Sequence, residues 1–153
     1  MNTRLHYLGM AARTPEPALR LAILTCMDAR IDVAALFGLR PGDAHVIRNA
    51  GGRATPDAIA CLAISQALMG TREVMVLHHS ECAMGRMGAH ELSARVEAAT
   101  GHPFHHTLET FADQHAAVVE DVEKLRGSTS LAHRDRIRGF VYDLARNAVD
   151  EVR

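Results

Sequence analysis

Three short apolar runs, at 19–25, 45–49 and 73–77, are each followed by a stretch of helical spacing. No other feature limits the possible folds as strongly. Antiparallel strands can be joined by a two-residue turn, whereas parallel strands need a crossover of a dozen or more residues. After the first run, Ile31, Val33, Ala34, Leu36 and Phe37 fit a short helix with Asp28 near its N-terminus, where a carboxylate is favoured. Gly38 and Pro41-Gly42 end it. After the second run, Thr55-Pro56-Asp57 reads as a capped helix start, and apolar residues at 58, 59, 61, 62, 64, 68 and 69 continue the pattern to Gly70. Further helices are expected at 88–99 and 107–125, a fourth strand at 137–143 and a short edge strand at 148–152. Strands alternating with helices predict an α/β fold, a mainly parallel central sheet flanked by helices.

The expected organisation is an N-terminal arm over 1–18, polar and broken by Pro15 and Pro17, followed by a single α/β domain over 19–153. With 153 residues, 48% of them hydrophobic, the chain can build a core without disulfides or a structural metal. A metal in such a chain needs a chemical reason. A net charge of -1 with no basic tract argues against nucleic acid as a partner, and the apolar runs are too short to span a membrane. The first residues carry no apolar signal stretch, so a cytoplasmic location is expected. Three cysteines, an odd number, read as thiol or metal chemistry and not as a disulfide framework.

Open parallel sheets place their sites at the carboxyl ends of strands. Cys26 follows the first run directly; His79 and Cys82 follow the third. The spacing His79-x-x-Cys82 lets two ligands from one turn reach one ion, and Cys26 adds a third from a neighbouring strand. Two thiolates and an imidazole suit Zn2+, with a fourth position left for water. Because two thiolates offset the charge of the ion, acidification of that water is weaker than with neutral ligands, and an alkaline activity optimum is expected. Asp28 stands where it can accept a hydrogen bond from the water or take the fourth position itself. Arg30 can hold that carboxylate in a charge-assisted bond.

Cys26-x-Asp28-x-Arg30, then Arg48-Asn49-Ala50-Gly51, then His79-x-x-Cys82, resembles the signature of the beta-class carbonic anhydrases, and 138–143 resembles the late strand of that family. The resemblance implies zinc on Cys26, His79 and Cys82, with Asp28 and Arg30 as the catalytic pair. It implies reversible hydration of carbon dioxide, a small uncharged substrate, and a homodimer or an assembly of dimers. The sequence departs from the family at Glu81, where Asp is common, and at Arg146-Asn147-Ala148, which lacks the usual glycine turn of the final hairpin. Hydrolases of carbonyl sulfide or carbon disulfide share the scaffold and form the nearest alternative. A noncatalytic zinc protein, structural or regulatory, is a third.

Blander roles are open to other residues. Buried cysteine is commonly a small core residue, the expectation for Cys61. His78 is expected on the strand face opposite His79, behind the ligands or in ordinary packing. Arg48, Asn49, Gly51 and Gly52 are expected to shape a turn beside the site, and the 84–88 run to line a loop over it. His102, His105 and His106 are expected in a loop as exposed or capping groups. Glu109, Asp113, Glu120, Asp121 and Glu123 are expected on the solvated face of a helix.

Overall fold

A computed structural model describes residues 14–152 of the chain. Its strands are β1 (Leu21–Cys26), β2 (Ala44–Asn49), β3 (Glu73–His79), β4 (Ile137–Asp143) and β5 (Ala148–Val152). They form one sheet in the order β2-β1-β3-β4-β5, parallel except for the antiparallel β5. The predicted fold class is therefore the observed one. Between the strands lie α1 (Val33–Phe37), α2 (Pro56–Met69), α3 (Ala83–Arg86), α4 (Ala89–Thr100) and α5 (Gln114–Gly127), with a 3-10 turn at Ala50–Gly52.

Registry decides what meets at the top of the sheet. Thr25 pairs with Leu77 and Cys26 with Asn49, so β1, β2 and β3 end at one level. Side chains alternate along each strand and feed two cores. Ala22, Leu24, Val74 and Val76 pack with Val118, Val122 and Leu125 of α5 and Leu62 of α2. Ile23, Leu77 and Phe140 belong to the other core, with Cys26, Ile31, Cys82 and Met84. At Gly139 a Cβ would lie 2.3 Å from Val118 Cγ1, so the missing side chain lets α5 sit close on β4.

Several expectations need correction. The first helix begins later than expected: Asp32 is its cap, accepting from Ala35 N, and Asp28 stays in the preceding turn. Residues 107–113 are not helical, because Asp113 caps α5 by accepting from Ala116 N, and Phe111 N bonds Met84 O instead. Cys61 is exposed, not core. α2 is apolar nearly all round, so its periodicity does not choose a face. The buried side carries Ala58, Leu62, Ser65 and Gln66, whose polar groups are satisfied by Thr71, His45 and the His133 backbone.

β5 forms despite the absence of glycine in its turn. Asn147 takes φ of 51°, a left-handed conformation that Asn tolerates, and its Oδ1 accepts from Tyr142 Oη at 2.8 Å. Most of the expected N-terminal arm, residues 1–13, lies outside the described residues. Pro17 is buried, and Ala18 N and Leu19 N bond the Gly42 and Asp43 carbonyls beside β2.

Candidate metal site

Cys26 ends β1, His79 ends β3, and Cys82 is the residue before α3. Their ligand atoms all lie within 4.8 Å of one another, and all three side chains are buried. The two Sγ atoms are 3.9 Å apart. His79 Nδ1 lies 2.9 Å from the Ser80 carbonyl, which can only accept, so Nδ1 carries the proton. The lone pair of Nε2 is thereby turned toward the thiols, and Nε2 is buried with no hydrogen-bond partner among the described residues. A buried acceptor without a donor is costly unless something else satisfies it. Two thiols and one imidazole lone pair converging on one point fit a tetrahedral zinc site with a fourth position free of protein ligands.

The electrostatics agree. Cys26 is pulled down to about 4, chiefly by its hydrogen bond with Cys82 and further by the backbone amides at Asp28 and Gly51. Cys82 moves up, because it keeps the shared proton and is buried beside that thiolate. With no cation the pair holds one negative charge; a dication draws off the second proton.

The turn at 50–52 brings the Gly51 amide to Cys26. Gly52 has φ of 70°, and a Cβ there would lie 2.8 Å from Cys26 N, so only glycine lets this turn rest on the β1 end. Asn49 closes the turn, donating to Arg53 O and accepting from Arg53 N. Arg48 does more than shape a turn: its Nε bonds Cys26 O at 2.9 Å and its Nη2 bonds Asp28 O at 2.7 Å. It thereby ties the backbone that carries both residues.

Asp28 stands at the mouth of the triad, with Oδ2 3.9 Å from His79 Nε2. Arg30 grips this carboxylate through Nε, Nη2 and its own backbone N–H, which holds Asp28 well below the usual carboxylate range. The remaining arm of Arg30, Nη1, reaches Glu81 Oε2 at 3.1 Å. This link was not expected; Glu81 reaches the guanidinium from a left-handed turn with φ of 59°. An open cleft of about 400 Å³ leads away from the pair, lined by Asp28, Arg30, Glu81, Ala83, Arg86 and Met87.

Of the other expected groups, Met84 packs under Gly51 and Met87 lines the cleft. His102, His105 and His106 are exposed and join no metal-binding group among the described residues. His78 is fully buried and bonds Asp121. Asp121 is a correction: it is fully buried, not part of a solvated face. Its signal in the sequence was its place beside Val118, Val122 and Leu125 on the apolar spacing of the helix. Arg53, also buried and paired with Asp121, was not anticipated.

The family model described as carbonic anhydrase matches residues 21–149. Beta-carbonic anhydrase 1 of Mycobacterium tuberculosis is 38% identical over 136 residues, covering 89% of this chain and 83% of that protein. A carbon disulfide hydrolase of Saccharolobus solfataricus is 46% identical over 74 residues, 48% of this chain and 36% of that one. Among solved structures, the carbonic anhydrase of Streptococcus mutans superposes with a TM-score of 0.88 at 37% identity, covering 95% of this chain and 88% of that one.

Proposed function

The chain belongs to the beta-carbonic anhydrase family, and on that premise we propose that it catalyses the reversible hydration of carbon dioxide at a zinc ion held by Cys26, His79 and Cys82. The observation that carries the metal assignment is the buried, unpartnered His79 Nε2 facing two thiols. Zinc would supply Lewis acidity that makes water nucleophilic at mildly alkaline pH, its two thiolate ligands weakening the acidification.

The residues of the chain do the rest. Asp28, kept ionised by Arg30, is an acceptor at the mouth of the triad. It takes one hydrogen bond from the reacting water and so turns an oxygen lone pair toward the incoming carbon. The fork of Arg30, anchored also on Glu81, fixes where that acceptor stands. The water oxygen bonds to carbon, one C=O electron pair moves to oxygen, and a proton leaves to solvent, giving bicarbonate. Pairing with Arg30 supports an Asp28 that stays off the metal.

The sequence likeness to the Saccharolobus solfataricus carbon disulfide hydrolase gives a second reading, hydrolysis of that substrate by the same groups; that match covers 48% of this chain, whereas the match to Beta-carbonic anhydrase 1 covers 89%. A homodimer or an assembly of dimers is proposed with the main reading. The exposed apolar Val46 of the outer strand β2, with Ile64 and Leu68 of α2, supports it. A cytoplasmic location is also proposed; the exposed free thiol of Cys61 fits a reducing compartment.

Metal analysis tests the site. One zinc per wild-type chain and little in Cys26→Ser, His79→Ala or Cys82→Ser is expected; full zinc in any of the three contradicts the ligand assignment.

A further inference from the structure

His78 and His79 are consecutive on β3 and therefore face opposite sides of the sheet. On the His78 side stands Asp121 of α5, fully buried. A buried carboxylate is very unfavourable unless its oxygens are occupied. Ala54 N bonds Oδ1 at 3.1 Å, His78 Nε2 bonds Oδ2 at 3.0 Å, and Arg53 Nε lies 3.4 Å from Oδ2. Arg53 is itself only 2% exposed; its Nη2 bonds Glu120, and its guanidinium lies over Phe111.

Each partner is one step from the triad. Arg53 and Ala54 continue from Gly52, which rests on the Cys26 backbone. His78 directly precedes His79, and its other ring nitrogen, Nδ1, has no hydrogen-bond partner among the described residues, so Asp121 makes the one side-chain hydrogen bond described for the ring, which also packs against Phe111. Phe111, under Arg53, bonds Met84 O through its backbone, two residues beyond Cys82. One carboxylate therefore braces the end of β1, the end of β3 and the turn into α3.

We propose that Asp121 is a positioning residue for the metal site, holding Cys26, His79 and Cys82 at one spacing from behind the sheet; this rests on reading the triad as a zinc site. Simple neutralisation of Arg53 does not account for the arrangement, because one oxygen is given to the Ala54 amide and the other is shared with His78.

The test is zinc affinity by chelator competition, with the cobalt(II) absorption spectrum as a second readout, on intact wild-type chain, Asp121→Ala, Asp121→Asn and Leu125→Ala. Leu125 is a buried residue of the same helix with no part in this network. Asp121→Ala is expected to bind zinc about 10–100-fold more weakly, the usual effect of removing a group that orients ligands, and to shift the cobalt bands. Asp121→Asn keeps an acceptor for Ala54 and should fall between it and wild type. Leu125→Ala should melt earlier yet bind zinc as wild type does. Wild-type affinity in the Asp121 variants overturns the proposal, as does an equal loss in Leu125→Ala. Should Asp121→Ala not fold, wild-type affinity in Asp121→Asn alone overturns it. A wild-type chain that binds no zinc overturns the triad reading and this inference together; tight binding that is equal in all variants overturns this inference alone.

Discussion

Arg30 holds Asp28 by two prongs, Nε on Oδ1 at 3.0 Å and Nη2 on Oδ2 at 2.8 Å, and leaves Oδ2 only 3.9 Å from His79 Nε2. A carboxylate held that way is an acceptor of fixed direction. Asp28→Asn keeps the shape and loses the charge. Zinc content should be unchanged while the hydration rate falls by about 100-fold or more, the usual scale for losing a positioned acid–base group. Metal analysis and stopped-flow rates on one preparation check this, and unchanged turnover would end the role.

The same ion pair has a pH signature. Asp28 in the folded chain titrates below its unfolded value of about 4. Its contribution to stability is thus present above that value and is lost only as pH falls through the lower, folded one. The melting difference between wild type and Asp28→Asn should stay constant from neutrality to mildly acid pH and shrink only in stronger acid. Because Arg30 is half exposed, the difference should be small and reduced by salt. A difference that disappears on approaching pH 5 would contradict the pairing.

Cys26 and Cys82 share one proton in the metal-free chain, Cys26 pulled down to about 4 and Cys82 pushed up. At neutral pH, zinc binding should therefore displace one proton from the two thiols, not two, and affinity should rise with pH as that proton becomes easier to remove. Calorimetry in buffers of different ionisation enthalpy counts the protons. Release of two from the cysteines would show that neither thiol is ionised beforehand.

Gly52→Ala places a methyl 2.8 Å from Cys26 N and 2.9 Å from Thr25 C at a left-handed φ. The turn must shift, at a cost of about 1–3 kcal/mol. Because this turn supplies an amide to Cys26, zinc affinity should fall together with the melting temperature. A variant that melts and binds as wild type would show that the turn is not what places Cys26.

The parts of the molecule legible in the sequence are those set by local periodicity and spacing. The run at 73–77 and the His79-x-x-Cys82 turn are contiguous, and a parallel sheet brings Cys26 to the same end. The exposure of Cys61 is not legible, because the residues of α2 are apolar on several faces and tertiary pairing through Ser65 and Gln66 orients the helix. Asp121 sits among Glu120 and Glu123, an acidic run that reads as solvated; its partner Ala54 lies 67 positions away, a distance no local pattern spans. The Arg30–Glu81 link is hidden for the same reason, since the two residues are 51 positions apart and meet only where β1 and β3 end together. Residues 107–113 show helical spacing, yet Phe111 is drawn to the Met84 carbonyl, and the helix waits for the Asp113 cap.

Stopped-flow carbon dioxide hydration at alkaline pH tests the central claim most directly, using the chain loaded with zinc, stripped by chelator and reloaded. Rapid turnover that disappears on stripping and returns with zinc is the predicted result. A zinc-loaded chain that hydrates carbon dioxide no faster than buffer would contradict it.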